Sequence, residues 1–231
     1  MLQKNTILTL LSQKLTSAYH FAMDHIIAPP FCVYCKNFLK SRTIFCISCE
    51  QKIDQVVSVQ IPITPSKNMM VMAACEYKEP VKSLIIAKSW GDIIAGDQLG
   101  HIIWDYSYLR HVPCDYLIPV PLHWLRTAKR GYNQAEEIAK TLAKLKQVHV
   151  ASIVSRTRNT PFQSSVSHDQ RHSNVKQAFA LKNCDTTLYQ NKHLIIVDDL
   201  MTTGSTLSQV AKVLIPLQPA SISAIVACRV V

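Results

Sequence analysis

Two apolar runs near the C-terminus restrict the fold more than any other feature of this 231-residue chain. "HLIIVDD" (193–199) and "SISAIVACRVV" (221–231) are almost continuously apolar, and "STLSQVAKVLIPL" (205–217) between them has helical spacing. A strand without polar alternation has to be covered on both faces, the condition of a strand inside a parallel sheet. The same alternation runs upstream. "MMVMAACEY", "CDYLIPVPL" and "VASIVSR" read as strands, the second stopped by Pro119 and Pro121. "EPVKSLIIAKSW", "DQLGHIIWDYSYLR" and "GYNQAEEIAKTLAKLK" read as helices, the last rich in strong helix formers. "IPITPSKN" (61–68), with two prolines, reads as a linker or crossing segment, and "TRNTPFQSSVSHDQRHSNVKQ" (157–177) as a long loop. The class is therefore α/β, with a parallel sheet covered on both faces.

Ligands of such sheets bind beyond the carboxyl ends of the strands. That rule gathers the turn after Pro119, the loop after Arg156 and the turn after Asp199 at one rim. A loop of about twenty residues inside a compact domain is uncommon and often functional.

Eight cysteines fall into two groups. Cys32, Cys35, Cys46 and Cys49 form C-x₂-C-x₁₀-C-x₂-C, and each pair lets one tight turn aim two thiolates at a single point. The pattern predicts one structural Zn²⁺ with four sulfur ligands and no open position for catalysis. Cys75, Cys114, Cys184 and Cys228 are scattered and expected to serve as small buried apolar residues. The expected division is 1–58, an N-terminal amphipathic helix and zinc module, and 59–231, the α/β domain. Ile7, Leu8, Leu11, Leu15, Tyr19, Ala22 and Ile26 recur at helical spacing, and Thr9, Ser12, Gln13 and Lys14 interrupt any secretory core. That helix packs on the rest of the protein or touches a membrane surface; no stretch reaches the ~18 apolar residues of a transmembrane segment. The expected location is cytoplasmic.

The formal charge is +10, and residues 126–182 hold 11 Lys/Arg against 3 Asp/Glu. A solvated basic surface and a nucleic-acid or phosphate ligand both account for that excess.

Between the two C-terminal runs lies "DDLMTTGSTL". Gly204 permits a tight bend at a helix start, where successive N–H groups and the hydroxyls of Thr202, Thr203, Ser205 and Thr206 suit a phosphate monoester. Asp198 and Asp199, just upstream, suit vicinal hydroxyls, so the implied ligand is a sugar phosphate. No Walker A motif occurs. In "RTAKRGYNQAEEIA", Arg126, Lys129 and Arg130 precede a helix whose dipole they oppose, which points to a ligand; ordinary exposed cations are the alternative.

"IIVDDLMTTGSTL" resembles the phosphoribosyl-pyrophosphate (PRPP) motif of type I phosphoribosyltransferases. The resemblance implies that Asp198 and Asp199 bind the ribose hydroxyls. It assigns the 5′-phosphate to Met201, Thr202, Thr203, Gly204, Ser205 and Thr206, with Mg²⁺ arriving on the pyrophosphate. Zinc knuckles, "IPVPLHWLRTAKRGYNQAEEIA", "SRTRNTPFQSSVSHDQRHSNVKQAF" and the PRPP motif, in that order, resemble the ComF family of competence proteins over almost the whole chain. The family resemblance implies a type I phosphoribosyltransferase-like domain, a role in DNA uptake and natural transformation, and handling of incoming single-stranded DNA beside the uptake machinery. Lys88, Arg126, Lys129, Arg130, Arg156, Arg158 and Arg171 are candidates for pyrophosphate or nucleic acid, with Gln163 and Asn174 at the family's spaced polar positions. Phe162, Tyr132 and Trp124 are candidates for stacking on bases. "IIAKSWGD" departs from the family's Lys-aromatic-Gly arrangement, since Ser89 separates Lys88 from Trp90. Two functions stand side by side: a PRPP-binding module that handles DNA, and an active phosphoribosyltransferase with a base or amine as acceptor. No catalytic residue is assigned.

Overall fold

A computed structural model describes residues 30–87, 93–122, 131–157 and 178–231. The expected N-terminal helix lies outside them, as do Lys88, Trp124, Arg126, Lys129, Arg130, Arg158, Phe162, Gln163, Arg171 and Asn174. The chain forms two compact units that divide between Lys52 and Ile53.

In the first unit, Phe31 and Phe38 pair as an antiparallel bridge around a tight turn in which Lys36 adopts φ 65°. The N–H of Lys36 donates to the Cys32 carbonyl at 3.0 Å, closing the first C-x₂-C turn. The second pair brackets a single helical turn, α1 (Ile47–Glu50), entered from Cys46, whose carbonyl accepts from Cys49 N–H at 2.9 Å.

The second unit is built on a six-stranded sheet of order β1-β2-β8-β7-β3-β4. Its strands are β1 (Val59–Thr64), β2 (Lys67–Glu76), β3 (Tyr116–Pro119), β4 (His149–Val150), β7 (His193–Met201) and β8 (Ser221–Arg229). All neighbours are parallel except β1 and β2. The helices are α2 (Val81–Ala87), α3 (Ile93–Tyr106), α4 (Gln134–Lys146) and α5 (Ser205–Leu214). The continuous apolar runs behave as their composition requires. Leu194, Ile195, Ile196 and Val197 of β7 are fully buried, as are Ala224 to Cys228 of β8. Leu194, Ile196, Ala224 and Val226 pack with Leu207, Val210, Ala211 and Leu214 of α5. Their alternates on β7 and β8 point to the opposite face, where α4 lies against β7 and α3 against β2 and β8. Each of these large side chains contributes about 1.5–3 kcal/mol by leaving water.

The α3–α4 contact is close because Gly96 and Gly100 face α4. A Cβ on Gly96 would lie 2.9 Å from Glu137 Cβ, and one on Gly100 2.7 Å from Thr141 Cβ. Helix α4 is well terminated: Asn133 Oδ1 accepts from Ala135 N–H at 3.2 Å, and Gln147 closes it in the left-handed region.

Two segments depart from the sequence expectation. The proline-marked 61–68 is no linker: it is most of the hairpin β1–β2, with Pro62 on the sheet edge. An edge strand tolerates a missing N–H, and Val59, Ile61 and Ile63 alternate with Gln60, Pro62 and Thr64 as a half-buried strand should. "VASIVSR" is also not one strand. It leaves the main sheet after Val150, and β5 (Val154–Arg156) pairs antiparallel with β6 (Phe179–Leu181) as a separate ribbon. Among the described residues no helix is long and apolar enough to cross a membrane.

Candidate functional site

Strand β7 runs two residues past the paired aspartates, to Met201, so Asp198 and Asp199 lie within the strand's last turn of pleat and not beyond it. Both are half-buried. The Asp198 carboxylate accepts the Asp199 N–H at 2.9 Å, which fixes its orientation. Beyond Met201 the chain bends through Thr202 and Thr203 to Gly204, the residue from which α5 starts. Gly204 has φ +75°, and a Cβ there would meet Ile61 Cδ1 at 2.9 Å, so both backbone conformation and packing call for glycine. Thr203 Oγ1 and Ser205 Oγ lie 2.9 Å apart. Asp198 and residues Leu200 to Leu207 line one small concavity at the carboxyl end of β7.

Such a loop presents N–H groups and hydroxyls at the positive end of a ten-residue helix, the surroundings of a bound oxyanion. The edge hairpin supports it, because Ser208 Oγ donates to the Pro62 carbonyl at 2.7 Å and Ile61 backs Gly204. Sequence reading left 61–68 as a linker or an extended crossing segment and so missed this support; the alternation of Val59, Ile61 and Ile63 was the available signal. A groove of about 480 Å³ runs from the loop between β1 and α5 to Lys212.

The neighbouring strand β3 ends level with the aspartates, since Pro119 pairs with Val197. A cleft of about 380 Å³ opens there, lined by Pro119, Pro121, Tyr132, Asn133, Lys140 and Lys182 among others. Tyr132 therefore borders a cleft at the same rim as the loop. Asn133 ties that wall together by donating from Nδ2 to the Val120 carbonyl at 3.1 Å. Arg156 ends β5, with its guanidinium 5.4 Å from the Phe179 ring centroid across the ribbon. Residues 158–177, between the two ribbon strands, lie outside the described residues.

In the first unit the four sulfurs of Cys32, Cys35, Cys46 and Cys49 lie within 4.8 Å of one another. A tetrahedral ion with sulfur bonds of about 2.3 Å would space them about 3.75 Å apart, and Cys35 and Cys46 are at 3.7 Å. Burial would raise the Cys32 thiol, but backbone hydrogen bonds at Cys35, Cys46 and Tyr34 outweigh it and bring the group down to about 6. Cys49 is pushed up to about 12 by burial and by the neighbouring sulfurs. The Cys32 thiolate forms readily while Cys49 resists a second negative charge beside it, a conflict that a divalent ion resolves. The cluster can hold zinc, and four sulfurs leave that ion no free position. Of the four scattered cysteines expected to be buried, Cys75 and Cys228 are fully buried in β2 and β8, whereas Cys114 and Cys184 are only half-buried.

The comparisons with known proteins agree with this geometry. The family model of the phosphoribosyl transferase domain matches residues 127–230. Competence protein F of Haemophilus influenzae is 29% identical over 192 residues, covering 80% of this chain and 78% of that protein. DNA utilization protein YhgH of Shigella flexneri is 35% identical, and that of Escherichia coli K12 34% identical, each over 116 residues. These alignments span 50% of this chain and 49% of the YhgH proteins. The chain is thus a homologue of competence protein F and of the YhgH DNA utilization proteins, and its match to the phosphoribosyl transferase domain lies downstream of its own four-cysteine cluster.

Proposed function

We propose that the protein binds PRPP at the carboxyl end of β7 and serves DNA uptake by handling incoming single-stranded DNA in the cytoplasm. The observation that carries the ligand is the loop itself: two aspartates in the last residues of a parallel strand, then a glycine at φ +75° opening a helix. In this reading Asp198 and Asp199 accept from the ribose hydroxyls, and Met201 to Thr206 surround the 5′-phosphate. Mg²⁺ accompanies the pyrophosphate, and Zn²⁺ holds the four cysteines. Lys88, Arg126, Lys129, Arg130, Arg156, Arg158 and Arg171 supply the charge toward pyrophosphate or the DNA backbone. Proteins of the uptake machinery are the expected partners. The names of the relatives, competence protein F and DNA utilization protein, support the DNA part.

A second reading, phosphoribosyl transfer to a base or amine, is supported by the 380 Å³ cleft beside the loop, whose Tyr132 and Asn133 offer an acceptor an aromatic face and an amide. In that case the protein would act by positioning the acceptor against C1 of the ribose and by stabilising the departing pyrophosphate.

Calorimetry with PRPP and Mg²⁺ tests the site. The native protein is expected to bind and the Asp198→Ala/Asp199→Ala double variant to lose binding, while both melt at similar temperatures. A native protein that does not take up PRPP would sink the assignment. Release of pyrophosphate on adding nucleobases or amines would establish the second reading.

A further inference from the structure

The four-cysteine module has a feature that metal binding does not use. Phe31 and Phe38 are bridge partners, and partners in an antiparallel pair place their side chains on the same side. Large aromatics normally supply the core of so small a unit. Here Phe31 is 51% exposed and Phe38 79% exposed, while the buried places go to Cys32, Phe45 and Cys49. The surroundings are charged with one sign. From Pro30 to Phe45 the chain has Lys36, Lys40 and Arg42 and no acidic residue. All three cations are exposed. The Lys36 ammonium lies 5.7 Å from the Phe31 ring centroid, and its donation to the Val33 carbonyl at 2.7 Å holds it beside that ring.

We infer that Phe31 and Phe38 form a stacking platform for bases of single-stranded DNA, with Lys36, Lys40 and Arg42 receiving its phosphates. The inference rests on the DNA-handling reading above and gives it a location. Exposed aromatic faces set among cations match a ligand that carries flat apolar faces on a polyanion. A duplex keeps its base faces stacked inside, and an apolar protein surface would bring no negative charge to the three exposed cations. The rings supply sequence-tolerant affinity, and the cations supply the salt-dependent part.

The test uses the full chain and fluorescence anisotropy with a labelled oligothymidylate of about 20 nucleotides, longer than the ~4–16 that single-strand modules cover. An abasic oligomer of the same length serves as the second probe. Phe31→Ala and Phe38→Ala are each expected to weaken oligothymidylate binding by about tenfold, leaving abasic binding and the salt dependence unchanged. Lys40→Ala is expected to lower the slope of log affinity against log salt by about 0.7. Phe38→Trp should bind as the native protein does and Phe38→Leu should not, with equal zinc content in every variant showing an intact module. Unchanged oligothymidylate affinity in both Ala variants, equal losses on the two probes, or a Leu variant equal to the Trp variant would each overturn the platform alone. A native protein with no affinity for either probe overturns the platform together with the DNA reading.

Discussion

The cysteine module and the β7 loop are the two regions proposed to hold ligands, and they are built by opposite means. In the module, four side chains from one short segment converge on a point, and among the described residues almost nothing else is buried there but Phe45. At the loop, two aspartates and a bend depend on a sheet whose strands come from residues more than a hundred positions apart, such as Met70 opposite Ser223. With zinc bound, the first kind of site would concentrate its stability in one ion. The second spreads it over many apolar side chains, so single losses subtract from it without abolishing it.

The largest effect should come from the metal. Chelation is expected to remove a binding contribution of about 10–16 kcal/mol, and Cys32→Ser a part of it, and each to open residues 30–52 to proteolysis. The phosphoribosyltransferase domain should keep its own melting transition. A single transition lost for the whole chain would break the distinction between the two regions. In the sheet, Ile196→Ala should cost about 2–5 kcal/mol, read by denaturant titration, with a folded state retained. Ile196 is fully buried between β7 and α5, and no single ligand stands behind it.

At the loop, Gly204→Val is expected to cost about 1–3 kcal/mol from the left-handed backbone, with more from the contact on Ile61 Cδ1. It should weaken PRPP binding more than Ile196→Ala does, because the strain falls on the bend itself. Equal losses of PRPP affinity in the two variants would mean that the loop has no geometry of its own to protect.

The smallest effect is electrostatic. Asp115 accepts the His193 N–H at 2.8 Å, and that hydrogen bond, helped by Lys192, holds its carboxyl below the ordinary range. A depressed folded value means that the contribution is complete above about pH 4 and is lost as the pH falls through the folded value. The melting-temperature gap between native protein and Asp115→Asn should therefore be present at pH 7 and shrink in acid. A gap that widens in acid would reverse the assigned sign. The carboxylate is about a third exposed, so solvent screening keeps this effect modest.

Much of the chain could be read directly. C-x₂-C-x₁₀-C-x₂-C is local, and its convergence follows from two tight turns. The apolar runs 193–197 and 221–228 could satisfy their composition only inside a covered parallel sheet. "DDLMTTGST" showed its bend through Gly204 and its helix start through the hydroxyl residues. The parts that escaped reading are those whose role depends on a distant neighbour. Ile61 and Pro62 looked like part of a linker or an extended crossing segment because proline marks turns, and only β2 and α5 make them an edge strand supporting the loop. The break after Val150 is invisible in "VASIVSR", since β4 pairs with β3 and β5 with β6, two partners whose pairing no local pattern declares.

The sequence alone determined the class of fold, the convergence of four cysteines and the bend of the strand-end loop, because periodicity, cysteine spacing and the φ demands of glycine are local properties. Tertiary structure alone decided which strand neighbours β7 and that an edge hairpin backs Gly204. It also decided that Phe31 and Phe38 remain at the surface. Burial and pairing join residues far apart along the chain, and no short stretch of sequence contains both partners.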